Sequence, residues 1–223
     1  IGQSTKIVDR KTGNITYGNC GFIGGGVQNT ICSGETESVL AGGRNNIVDN
    51  DCAAILGGSF NIVSGKISVV VGGTLNTGSG ACSFIGGGCS NVASNAHSVI
   101  AGGRNNSNGA CEGFIGAGFS NSISLACCAV LAGGCTNCIQ SNALQAVIVG
   151  GGQNCIKAGS SLPAYCSHNS FLGGGCLNII NDLSDCARFA FLGGGCKNKV
   201  TRDHATVVGG TLNTGSSACG FLG

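Results

Sequence analysis

Apolar residues recur along the chain in short runs that are closed by Gly-Gly and followed, three residues on, by Asn. The unit reads small, apolar, apolar, any, Gly, Gly, any, any, Asn, any, apolar. Its Asn falls at Asn29, Asn46, Asn61, Asn76, Asn91, Asn106, Asn121, Asn137, Asn154, Asn178, Asn198 and Asn213. Most successive spacings are 15 residues, and the widest are 24, after Asn154, and 20, after Asn178. Self-similarity at a short fixed period marks a solenoid, and a period of 15 fits one flattened coil of two short strands and two turns. The runs are rich in Val, Ile and Phe, and the density of Gly excludes helix.

The pattern predicts an all-β parallel β-solenoid, a β-roll, with about 15 residues per coil. Residues 21–223 form the repeat domain of about 12 coils, with insertions at 157–168 and 181–189. Residues 1–20 do not fit the unit and are expected to be a cap or junction. The Gly pair and the Asn both tolerate positive φ, and the Asn side chain has two readings: an inward ladder bonding the next coil, or single solvated turns.

Volumes trade along one strand face. Seven and five residues before the Asn, Phe22 is followed by Gly24, Phe84 by Gly86 and Phe171 by Gly173, whereas Ala54 is followed by Leu56 and Val69 by Val71. Such compensation belongs to close-packed space, so this face is expected to line the coil interior. The sixth position before the Asn then points outward, yet it is apolar in every unit: Ile23, Leu40, Ile55, Val70, Ile85, Ile100, Ile115, Leu131, Ile148, Leu172, Leu192 and Val207. At about 4.8 Å per coil this row would be an apolar stripe on the order of 58 Å long. Self-association is the simplest cover for such a stripe and makes the row a subunit interface. The alternative is that the second strand of the same coil folds over it.

Composition narrows the class. Gly contributes 43 of 223 residues without collagen spacing, charged residues are only 9%, and the apolar share is ordinary, so neither a triple helix nor disorder fits. The net charge is +2 and the basic residues are scattered, which leaves no nucleic-acid footprint. No apolar run approaches the ~20 residues of a membrane span. With Met absent, the chain is read as a segment of a longer protein.

Ser98-Val99-Ile100-Ala101-Gly102-Gly103, Ser68-Val69-Val70-Val71-Gly72-Gly73 and Ser38-Val39-Leu40-Ala41-Gly42-Gly43 resemble the head repeats of YadA-type trimeric autotransporter adhesins. The Phe-Ile-Gly-Gly-Gly units, as at Phe22 and Phe84, look like repetitive fibre regions of some phages and large DNA viruses. The resemblance covers residues 21–223 and implies a left-handed, homotrimeric roll at a cell or virion surface. The chain departs from the bacterial pattern in its aliphatic row where Ala is favoured, its regular Asn and its many Cys.

Sixteen Cys raise the question of bridges. Cys111 and Cys127, Cys138 and Cys155, Cys166 and Cys186, and Cys176 and Cys196 occupy equivalent places in successive coils. A coil-to-coil step lies inside the Cα window for a disulfide, although in-register Cβ atoms are slightly too far apart for relaxed geometry, so bridges and reduced ladders both stand. No metal is expected, because Cys135 and Cys138 lack a second pair at zinc spacing. A Gly-rich string repeated in every coil is architecture, not a phosphate loop. Asp203 and His204 beside Ser216 and Ser217 are read as turn residues, so neither enzyme activity nor a cofactor is expected.

Recognition would sit on insertions. The larger carries Leu162, Pro163, Tyr165 and His168 as a candidate ligand loop; the smaller carries Asp182, Asp185 and Arg188. Sequons occur at Asn14 and Asn105. The expected function is a segment of a trimeric surface or virion fibre that spaces or displays host attachment. An adhesin head binding a glycan or matrix protein through its loops is the alternative, and a self-assembling monomeric solenoid filament is the third reading.

Overall fold

The computed structural model describes residues 7–17, 20–32, 36–157, 167–181 and 186–223. The chain is an all-β parallel β-solenoid of about 13 turns with about 15 residues per coil, and no helix occurs among the described residues. It divides into two compact units, 1–105 and 106–223.

In the first unit each coil contributes one strand to each of two parallel sheets, and almost every strand is two residues long. One sheet runs through Ile15–Thr16, Thr30–Ile31, Ile47–Val48, Ile62–Val63, Thr77–Gly78 and Val92–Ala93. The other runs through Phe22–Ile23, Val39–Leu40, Ala54–Ile55, Val69–Val70, Phe84–Ile85 and Val99–Ile100. Ile7–Val8 pairs antiparallel with Ile15–Thr16 at the first edge. Asn14 already forms a rung and Ile15 pairs with Thr30, so the regular sheet begins inside the segment expected to be a cap. The second unit repeats the plan, with Phe114, Val130, Val147, Phe171, Phe191, Thr206 and Phe221 in register along one sheet.

The core inverts the expected facing. Leu40, Ile55, Val70, Ile85 and Ile100 in the first unit, and Ile115, Leu131, Ile148, Leu172, Leu192 and Val207 in the second, have 0% exposure within a single chain; Ile23, in the first coil, is half-buried. The sixth-position row is therefore the interior, not a subunit interface. What covers it is the partner strand of the same coil, whose second residue after the Asn also points inward: Ile31, Val48, Val63 and Ala93 in one unit, Ile123, Ile139, Ile156, Ile180 and Val200 in the other. The tiny eighth position closes the core beside them, as at Ser38, Ser68 and Ala129.

The Asn residues form an inward ladder. Asn76 is fully buried; its Nδ2 donates to the carbonyls of Gly72 at 2.9 Å and Gly88 at 3.1 Å, and its Oδ1 accepts the backbone N–H of Asn91 at 2.9 Å. Asn46, Asn61, Asn137, Asn154, Asn178 and Asn198 repeat this pattern, each side chain donating to a corner carbonyl and accepting the Asn N–H of the next coil. Each rung pairs the buried N–H of the next Asn and a turn carbonyl of its own coil, and adds a second donor to a corner carbonyl that already accepts a backbone N–H.

The positive φ expected at the Asn falls elsewhere. It is taken by the second glycine of the pair, such as Gly73 at +86°, by the residue just before the Asn, and by the residue nine before it. A Cβ on Gly73 would drive into the carbonyl oxygen of Gly88, whereas one on Gly72 would meet nothing. Only the second glycine is sterically required.

Candidate functional site

The seventh and fifth positions, expected inside, form the outer wall of one sheet. In the first unit Phe22 is 59% exposed, Leu56 49% and Phe84 38%, with Val39 and Val71 also open to solvent. In the second unit Phe114, Val149, Phe191 and Val208 are exposed. Neither row holds a charged residue in any coil.

The volume trade now has a local cause. A Cβ on Gly24 would run into the Ala41 carbonyl oxygen of the next coil and would also meet Phe22 Cε1 at 3.3 Å; Gly86 and Gly193 stand against the Ala101 and Val208 carbonyls in the same way, with the Phe84 and Phe191 rings nearby. Phe171 and Phe191, in successive coils, stack with centroids 5.4 Å apart and planes 6° apart. Rings beside glycines in some coils and aliphatic pairs in the others give an uncharged surface.

The rim of this wall is the left-handed corner nine residues before each Asn. In the second unit Phe189 stacks on His204 at 5.1 Å there. One position earlier, Arg188 pairs with Asp203 of the next coil, donating from both its guanidinium and its backbone N–H. Burial pushes the Asp203 carboxyl up, but these hydrogen bonds outweigh it and hold the group below its usual value. Asp203 thus serves Arg188. His168, in the candidate ligand loop, has its pKa lowered by burial and then by the Arg188 charge. Leu162, Pro163, Tyr165, Asp182 and Asp185 lie outside the described residues, so the loop's shape is not part of this site.

Of the cysteine pairs, Cys138 and Cys155 form a disulfide across two coils with Cα atoms 4.7 Å apart. Cys186 is disulfide-bonded, while Cys166 lies outside the described residues. Cys176 and Cys196 stand in register on neighbouring coils but are free thiols, and no disulfide joins Cys111 to Cys127. Among the described residues no group of three or more metal-ligating side chains is poised for an ion, and no helix is long and apolar enough to cross a membrane.

Two features escaped sequence reasoning. The inward facing of the second residue after each Asn was not assigned, although the repeat unit places an apolar residue there; it is Ile, Val, Ala or Gly in every coil but one, where Asn108 stands. The non-glycine left-handed corners carried no compositional signal at all, since Cys, Glu, Ile and His all occupy them. No known protein-family profile matches the chain, and no curated protein matches it.

Proposed function

We propose that the chain is a structural segment of a homotrimeric fibre at a cell or virion surface, spacing or displaying an attachment function, with the outward apolar wall packed against sister chains. The observation that carries this reading is the wall itself: two rows without a charge, largely open to solvent, on coils that already bury their own core. Monomers rarely leave such a patch in water. Covering one half-exposed Val, Leu or Phe per coil contributes on the order of 1 kcal/mol. Association costs roughly 4–15 kcal/mol, so several coils must act together, which suits a repetitive chain. The cross-coil disulfide supports an oxidising, extracellular setting, and the resemblance of the strand motifs to trimeric adhesin heads and viral fibre repeats supports the threefold state.

The test is light scattering on the chain and on Val39→Glu/Val71→Glu. The unsubstituted chain should weigh three chains, and the variant should fall to one chain with its β circular dichroism intact. A single-chain mass for both would remove the reading. Deletion of residues 157–168 separates spacer from adhesin, because only an adhesin that binds through this loop would lose attachment to cells.

Burial of the sixth-position row within one chain favours a second reading, a solenoid that needs no lateral partner and assembles as a single-chain filament.

A further inference from the structure

The rim corner of the first unit holds, coil by coil, Cys20, Glu37, Cys52, Ile67, Cys82 and His97, all with φ between 52° and 60°. That conformation suits Gly or Asn, and a cysteine brings neither the missing Cβ nor a side-chain amide to it. Cysteine recurs there on every second coil of the first unit. Cys20 and Cys52 are exposed and Cys82 is half-exposed, and all three are free thiols. They border the apolar wall directly, two residues before Phe22, Ala54 and Phe84.

Spacing decides what these thiols can reach. Cys138 and Cys155, one coil apart, are bridged. Cys20, Cys52 and Cys82 are separated by two coils at each step, about 9.6 Å, beyond the roughly 4.4–6.8 Å Cα window of a disulfide. Glu37 and Ile67 fill the intervening places. Cys52 Sγ lies 3.8 Å from Glu37 Oε2, a weak contact that leaves the sulfur at the surface. Leftover thiols beside a formed disulfide point to pairing between molecules.

We infer that Cys20, Cys52 and Cys82 form interchain disulfides with a second copy of this chain, fastening the apolar walls together along the rim. This rests on the reading that sister chains cover that wall. The oxidant is a small-molecule disulfide. A rim thiolate attacks it and releases one small thiol, and a thiolate of the second chain then attacks the mixed disulfide and releases the other. Two protein thiols become one interchain disulfide, and the small disulfide is reduced to two thiols.

The full chain, incubated with oxidised glutathione, is run on non-reducing gels and its linked peptides are mapped by mass spectrometry. Covalent multimers are expected whose interchain peptides contain Cys20, Cys52 or Cys82. In Cys20→Ser/Cys52→Ser/Cys82→Ser the multimers should drop at least tenfold, while the Cys138–Cys155 peptide stays linked and the mass in reductant stays unchanged. Linked peptides that involve none of the three, under conditions where Cys138–Cys155 forms, overturn the inference. The map of the unsubstituted chain decides this even if the variant misfolds. A multimer that persists in reductant without rim linkage sinks the inference alone, whereas a single-chain mass in reductant sinks the reading beneath it.

Discussion

At the scale of single residues the fold depends on a buried amide repeated in every coil. Asn76→Ala would strand the buried Asn91 N–H and take a donor from the part-buried Gly72 carbonyl, while the Gly88 carbonyl would keep the Thr74 N–H. Chemical denaturation should show a loss of about 1–3 kcal/mol, the cost of one orphaned buried group. His168 supplies a pH dependence. Burial lowers its folded-state pKa below the usual 6.5, so below that value the unfolded chain takes up a proton that the folded site refuses. Its contribution to stability is complete above pH 6.5 and is lost as pH falls below it. His168→Gln should flatten the midpoint-versus-pH curve in that acid range, and an unchanged slope would clear His168 of the effect.

At the scale of elements, the strands are so short that one misassigned residue reverses a whole face. The period, the parallel stacking, the Asn corner and the tiny residue that opens each strand were all legible, because each is a repeated residue type at a fixed offset. The facing was not. The trade of Phe22 against Gly24 read as interior packing, yet both positions lie on the outer wall, where a Cβ on Gly24 would meet the Ala41 carbonyl of the next coil and the Phe22 ring. The unbroken aliphatic character of Ile55, Ile85 and Leu131 was the true interior signal; that row holds neither aromatic residues nor glycine, as a narrow core of constant width requires. Ile85→Ala should therefore cost about 2–5 kcal/mol, whereas Phe84→Ala, next to it and facing out, should cost much less in the separated chain. Equal losses on thermal melting would argue against the assigned facing. Bridging had the same limit: in-register spacing named four cysteine pairs, but spacing alone could not separate Cys138–Cys155, which closes, from Cys176 and Cys196, which stay reduced.

At the scale of the whole molecule, each coil makes its contacts with its neighbours in the stack, so stability accumulates along the repeat while the outer wall stays available to another chain. The proposed assembly turns on whether that wall is covered. The chain has no Trp, so Phe84→Trp places one fluorescent reporter on that wall. In the assembled protein its emission should be blue-shifted and shielded from iodide, moving to the red and becoming quenchable when the assembly is diluted apart. Red-shifted, fully quenchable emission at every concentration would show the wall to be wet and would contradict the account.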